Sequence, residues 1–185
     1  MKIKRHEKEI FTFIEQQFSH FIHENHNINY EVYTTSCYIS NGGLKKFLRK
    51  IDKILAEDKK ITIYVDKKGF KNIDNLNEIE KIVKEHTALS IRIPKPKGNK
   101  LFHPKAYAVI AKEQRKGIIV FGSANLSDAG LGEYGNTEII ASTSDEQYIQ
   151  DFIDWIEELD KSYENLESVR KFYEDSTELA LIKKG

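Results

Sequence analysis

Two short runs carry the chemistry in this sequence, His103-Pro104-Lys105 and Gly122-Ser123-Ala124-Asn125. An imidazole attacks phosphorus or moves a proton near neutral pH, an ammonium offsets phosphate charge, and a hydroxyl and a carboxamide bind phosphate oxygens. The set suits a phosphoryl group. Composition shows which run is informative. With six His and 24 Lys in 185 residues, about 0.8 His-x-Lys triplets are expected by chance. A second one, His6 and Lys8, has no partner motif after it and reads as surface on an N-terminal helix. Ten Gly, eleven Ser and eleven Asn predict only about 0.04 occurrences of Gly-Ser-x-Asn. Its arrival about twenty residues after His-x-Lys, with both runs on adjacent predicted strands, is the informative conjunction.

For these side chains to meet, the chain must supply strands, and the pattern supplies them. Ile10, Phe13, Ile14, Phe18, Phe21 and Ile22 predict an amphipathic helix over residues 6 to 24. Tyr30 to Ile39 reads as a strand, Ser40-Asn41-Gly42-Gly43 as a turn and cap, and Leu44 to Leu55 as a helix. Ile61 to Val65, Ile73 to Val83 and Leu89 to Ile93 continue as strand, helix and strand, ending at Pro94. That alternation favours parallel strands with right-handed crossovers. Phe102 to Ala111 and Gly117 to Phe121 predict a hairpin around the polar tip Lys112 to Lys116. Thr137 to Ala141 is a further strand, followed by a Ser144/Gln147 capping box, a helix through Leu159 with Trp155 beside its buried face, and a weaker helical pattern from Glu167 to Ile182. The expected fold class is α/β, a mixed β-sheet flanked by helices.

A strand's period of two puts His103 and Lys105 on one face, with Ser123 and Asn125 beside them at the end of the hairpin partner. Ile139 and Ala141 are expected to point inward, with Glu138 on the other side, placed to hold the His103 ring through its second nitrogen.

The phrase FHPKAYAVI followed by IIVFGSANLSDAGL resembles the phospholipase D superfamily, whose signature is His-x-Lys, a downstream Asp, then Gly-Ser-x-Asn. The resemblance spans roughly residues 28 to 160 and implies a phospholipase D-like half-domain. It implies a metal-independent phosphodiesterase with no cofactor, working through a phosphohistidine intermediate. His103 would be nucleophile or acid, Lys105, Ser123 and Asn125 would hold the phosphate, and Glu138 would match the acidic residue that orients the histidine. The signature's Asp falls at Ile110, an odd offset from His103 and so on the opposite face of a regular strand, where its loss removes support more than chemistry. A single motif where the mechanism needs two histidines implies a homodimer with one composite site.

Charge and composition narrow the substrate. The net charge is zero, but residues 92 to 116 carry +7 and residues 128 to 178 carry −12. The basic stretch, with Lys95, Lys97 and Lys100, is the expected nucleic-acid-binding segment, two copies of which would flank a shared groove. A nuclease acting on DNA or RNA, of restriction or defence type and with room for a targeting subunit, is the leading expectation. A lipid phosphodiesterase and a non-catalytic nucleic-acid-binding subunit are the alternatives. The mean hydropathy of −0.55 and the lack of any run near the ~18 to 20 apolar residues of a membrane helix predict a cytoplasmic protein with no membrane partner. Cys37 alone excludes an internal disulfide and a cysteine-based zinc cluster. His20, His23, His26 and His86 lack the clustered acids of a metal site, and Gly130, Gly132 and Gly135 match GxGxxG in the wrong context for a dinucleotide fold. The expected division is an N-terminal helix over 1–27, a catalytic domain over 28–163 and a helical tail over 164–185.

Overall fold

The computed structural model describes residues 2–6, 10–55, 59–95, 101–131 and 138–182. Its first half is the predicted alternation: β2 (Glu31–Ser36), α2 (Asn41–Ile51), β3 (Ile61–Val65), α3 (Ile73–Glu85) and β4 (Leu89–Pro94). β2 lies parallel to β3, and β3 parallel to β4. The second half is antiparallel: β5 (Ala106–Ala111) pairs with both β2 and β6 (Lys116–Gly122), and β6 pairs with β7 (Glu138–Thr143). A short β8 (Tyr163–Glu164) is added to β4, and β1 (Lys2–His6) is added to β7. The sheet therefore has eight strands in the order β1-β7-β6-β5-β2-β3-β4-β8, mixed as expected.

Each face buries its own core. On one side α1 (Ile10–Glu24) brings Phe13, Ile14 and Phe18, and α2 and α3 bring Phe47, Ile51, Leu76 and Ile79. These pack onto Val32, Ile63, Tyr107, Val109 and Val120 of the sheet, with Val169 of α6 (Leu166–Ile182). On the other side α5 (Glu146–Asp160) sets Ile149, Phe152, Ile153 and Ile156 against Tyr33, Tyr64, Ala106, Ala108, Ile110 and Ile119. Odd and even residues of β5 divide between the two cores, as strand periodicity requires.

Several boundaries differ from the sequence reading. Residues before α1 include a strand: β1 runs antiparallel to β7 with His6 opposite Glu138, so helix 6–24 begins at Ile10. Lys8, Thr137, Gly132 and Gly135 lie outside the described residues. The cap of α5 is Asp145 rather than Ser144: its carboxylate accepts the Gln147 N–H at 3.1 Å. Trp155 is half-buried and stacks on Phe102, centroids 6.1 Å apart. The strand expected from Phe102 starts only at Ala106, so His103 and Lys105 stand in the irregular segment just before β5.

Ile110 sits where the fold gives a carboxylate no purpose. It is 1 % exposed, lies in the core under α5, and faces Gly117 across the hairpin, where a side chain would stand 2.6 Å from the Ile110 Cδ1. Within β5, Ile110 shares the α5 face with Ala106 and Ala108.

Candidate active site

The carboxyl ends of β2, β3 and β6 and the amino ends of β5 and β7 meet at one end of the sheet. The ends of parallel strands leave such a crevice in open α/β sheets. His103 is exposed and Lys105 half-buried. The Lys105 ammonium lies across the imidazole, 2.8 Å from Nδ1 and 3.3 Å from Nε2, and also donates to the His103 carbonyl at 3.0 Å. Lys105 makes no ion pair among the described residues. A phosphate entering here meets an ammonium held by the His103 ring and carbonyl and by no carboxylate among the described residues.

Gly-Ser-x-Asn is fixed by the backbone around it. The Gly122 N–H donates to the Lys105 carbonyl at 3.2 Å, and the Ser123 N–H donates to the Ile139 carbonyl at 3.0 Å. The Ser123 hydroxyl donates to Glu138 Oε2 while accepting the Ile139 N–H at 3.0 Å. Asn125 is held by its oxygen, which accepts the Tyr38 N–H at 3.2 Å, so its NH2 is the end left for a phosphate oxygen. Ser36 supports this turn from β2: its hydroxyl donates to the Tyr38 carbonyl at 2.7 Å and accepts the Leu126 N–H at 2.9 Å.

Two expectations about β7 change. Glu138 is 5 % exposed and Ile139 is 61 % exposed, the reverse of the apolar-inward reading. The carboxylate turns inward because Ser123 satisfies it there, and that bond goes to Ser123 rather than to the His103 ring. Tyr107 was not singled out by its sequence. Its buried hydroxyl donates to the Ala124 carbonyl at 3.1 Å, bracing the residue between Ser123 and Asn125. Burial pushes the pKa of this phenol far up from 10.0, and the nearby Glu138 adds to the effect, so it stays a donor. Cys37, at the end of β2, has its thiol pushed up mainly by burial, with Lys105 pulling it down and Asp66 pushing it further up.

The described cations of the basic stretch are spread over separate parts of the sheet. Lys112, Arg115 and Lys116 occupy the hairpin tip at the far end of β5 and β6, about 20 Å from His103 at the usual rise per strand residue. Arg92 pairs with Asp160, and Lys95 stands 3.9 Å from Glu164. Lys97 and Lys100 lie outside the described residues. The cations at the site's own end include Lys68 and Lys71, both exposed in the turn after β3, which sequence adjacency to the motif did not reveal. Among the described residues no three His, Cys, Asp or Glu side chains are grouped as a metal site. His20 and His86 instead pair with Glu24 and Asp52. No described helix is long and apolar enough to cross a membrane.

Residues 13–160 match the family model described as cardiolipin synthase, PLD-like domain. A search of curated protein sequences found no match. Among solved structures, NucT from Helicobacter pylori aligns with a TM-score of 0.58 at 14% identity, over 89% of this chain and 98% of that one. Nuc from Salmonella typhimurium, described as a phospholipase D family member, aligns with 0.58 at 12% identity over 89% and 97%. Phosphatidylserine synthase from Haemophilus influenzae Rd KW20 aligns with 0.55 at 12% identity, over 98% of this chain but 45% of that one. At these identities the structural likenesses establish the fold.

Proposed function

The chain belongs to the PLD-like domain family of the phospholipase D superfamily, whose members act on phosphodiester bonds, and from that premise we propose that it is a homodimeric nuclease cleaving without metal. The observation that carries the reading is the convergence of His103, Lys105, Ser123 and Asn125 at one open end of the sheet. Lys105 and the Asn125 NH2 hold the nonbridging phosphate oxygens, joined by the Ser123 hydroxyl once it turns from Glu138 to the substrate. One copy's His103 bonds to phosphorus as the bond to the leaving oxygen breaks, and the second copy's protonated His103 gives that oxygen its proton. Water then loses a proton to the second copy's neutral imidazole, attacks phosphorus and displaces the first ring. A phosphomonoester leaves and both imidazoles return to their starting states. Glu138 acts in this scheme by accepting the Ser123 hydroxyl until the phosphate takes it over.

Two features support a second copy. Phe121 and Ile139 are 38% and 61% exposed and lie diagonally on one face of neighbouring strands, next to Gly122 and Ser123. NucT and Nuc, matched over nearly their whole lengths, are single domains of this chain's size, whereas the synthase is about twice as long. The exposed His103 and the exposed Lys68 and Lys71 at the same end of the sheet favour an extended polyanion such as DNA over a lipid headgroup.

The test is cleavage of labelled DNA and RNA in excess EDTA, with sedimentation velocity run in parallel. The reading expects a dimer whose cleavage persists in chelator and is abolished by His103→Ala. Cleavage that needs a divalent ion, or that survives His103→Ala, overturns it. Hydrolysis of phospholipid vesicles alone would establish the lipid reading, and salt-sensitive binding without turnover the non-catalytic one.

A further inference from the structure

The geometry points to Asp66 as the positioning residue that aims His103 and Lys105, an inference that rests on the catalytic reading of those two residues. His103-Pro104-Lys105 precedes β5 and has no strand ladder of its own to fix it. Its downstream end is tied where the Lys105 carbonyl accepts the Gly122 N–H at 3.2 Å. Its upstream end is tied by Asp66, the residue just after β3: Oδ2 accepts the Phe102 N–H at 2.6 Å.

Asp66 is itself over-determined. It is 6 % exposed, its Oδ1 accepts the Lys68 N–H at 2.8 Å, its carbonyl accepts the Gly69 N–H at 2.8 Å, and its own N–H donates to the Ser36 carbonyl at 3.3 Å. The Asp66 side chain thus joins the β3 turn to the residue next to His103, while its backbone N–H ties it to the β2 end that also supports Asn125. The Phe102 ring, stacked on Trp155, anchors the same residue from its other side. Between these ties Pro104 restricts the backbone, so the imidazole is held from both ends. Asp66 touches none of the phosphate-holding groups. It acts through Phe102.

The experiment compares wild type with Asp66→Asn, which keeps the size and one acceptor but turns the other towards an N–H as a donor. Three readouts are taken: the Phe102 amide proton shift and exchange rate, the His103 ring nitrogen shifts, and kcat and KM for DNA cleavage. Positioning predicts faster Phe102 exchange, altered His103 ring signals and a kcat lowered about 100-fold with KM nearly unchanged, the size of effect a misplacement near 1 Å produces. Should Asp66→Asn fail to fold, Asp66→Glu, which keeps both oxygens one methylene further out, carries the same readouts. A lowered melting temperature with His103 ring signals and kcat unchanged overturns the inference, leaving Asp66 merely structural. If wild type cleaves nothing, the nuclease reading fails, yet the ring and amide signals still decide whether Asp66 aims His103.

Discussion

Gly122 is the position where the structure makes the sharpest demand on residue type. A Cβ added there would stand 2.0 Å from the Ile139 carbonyl oxygen and 2.9 Å from the Ile140 Cα. Real Cβ atoms keep at least 3.0 Å, so in Gly122→Ala the β6 and β7 backbones must part by about 1 Å. That movement falls on the bonds that fix Ser123: its N–H to the Ile139 carbonyl and the Ile139 N–H to its hydroxyl, both 3.0 Å. Stretched by that much, both pass beyond hydrogen-bond length. Two bonds at about 1 kcal/mol each and an overpacking cost of about 1 to 3 kcal/mol give a destabilisation of about 3 to 5 kcal/mol. For a chain of this size that lowers Tm by roughly 6 to 20 °C. On the proposed role of Ser123 as a phosphate ligand, cleavage measured well below the new Tm should still fall by at least about 100-fold, because Ser123 is displaced. Differential scanning calorimetry and single-turnover kinetics measure the two effects. A Gly122→Ala protein with wild-type Tm and rate would refute the argument that close strand approach sets this residue.

Other perturbations test separate parts of the site and its frame. Tyr107→Phe removes the donor to the Ala124 carbonyl and should cost about 1 to 3 kcal/mol by leaving a buried acceptor unpaired, with a lowered kcat, read by denaturant melts and kinetics. Glu164 has its carboxyl held below 4.5, chiefly by the hydrogen bond from Lys67, so its stabilisation is present above that value and fades as pH falls through the lowered one. Glu164→Gln should therefore lower Tm at pH 7 and leave a smaller further loss of Tm on acidification below pH 4.5 than wild type shows. Burial pushes the Cys37 thiol above 9.0, so alkylation by iodoacetamide at pH 8 should be slow. Lys105→Met should slow it further, because the ammonium is the group that pulls the thiol down.

The parallel half of the sheet was legible because Leu44 to Leu55 and Ile73 to Val83 keep a helical period between short β-branched runs. The hairpin was legible for the same local reasons, and with it the meeting of His103, Lys105 and Gly-Ser-x-Asn. What escaped depended on long-range partners. β1 is a short polar segment whose pairing with β7 lies more than a hundred residues away. Glu138 reads as an outward residue until Ser123 is known to satisfy it, and its inward turn carries Ile139 outward. Asp66 looks like any turn residue after a strand, since nothing local reveals that Phe102 donates to it. The cations of the basic stretch divide between places because charge adjacency along the chain cannot tell the hairpin tip from the site end of the same strands.

The most direct measurement is on His103 itself. A single-turnover reaction with labelled DNA, stopped at alkaline pH where a phosphorus–nitrogen bond survives and followed by proteolysis and mass spectrometry, reports any covalent intermediate. The account predicts a nucleotide-phosphoryl adduct on the peptide containing His103, appearing and decaying on the timescale of product formation. Product formed with no adduct at any time, or an adduct on a residue other than His103, would contradict it.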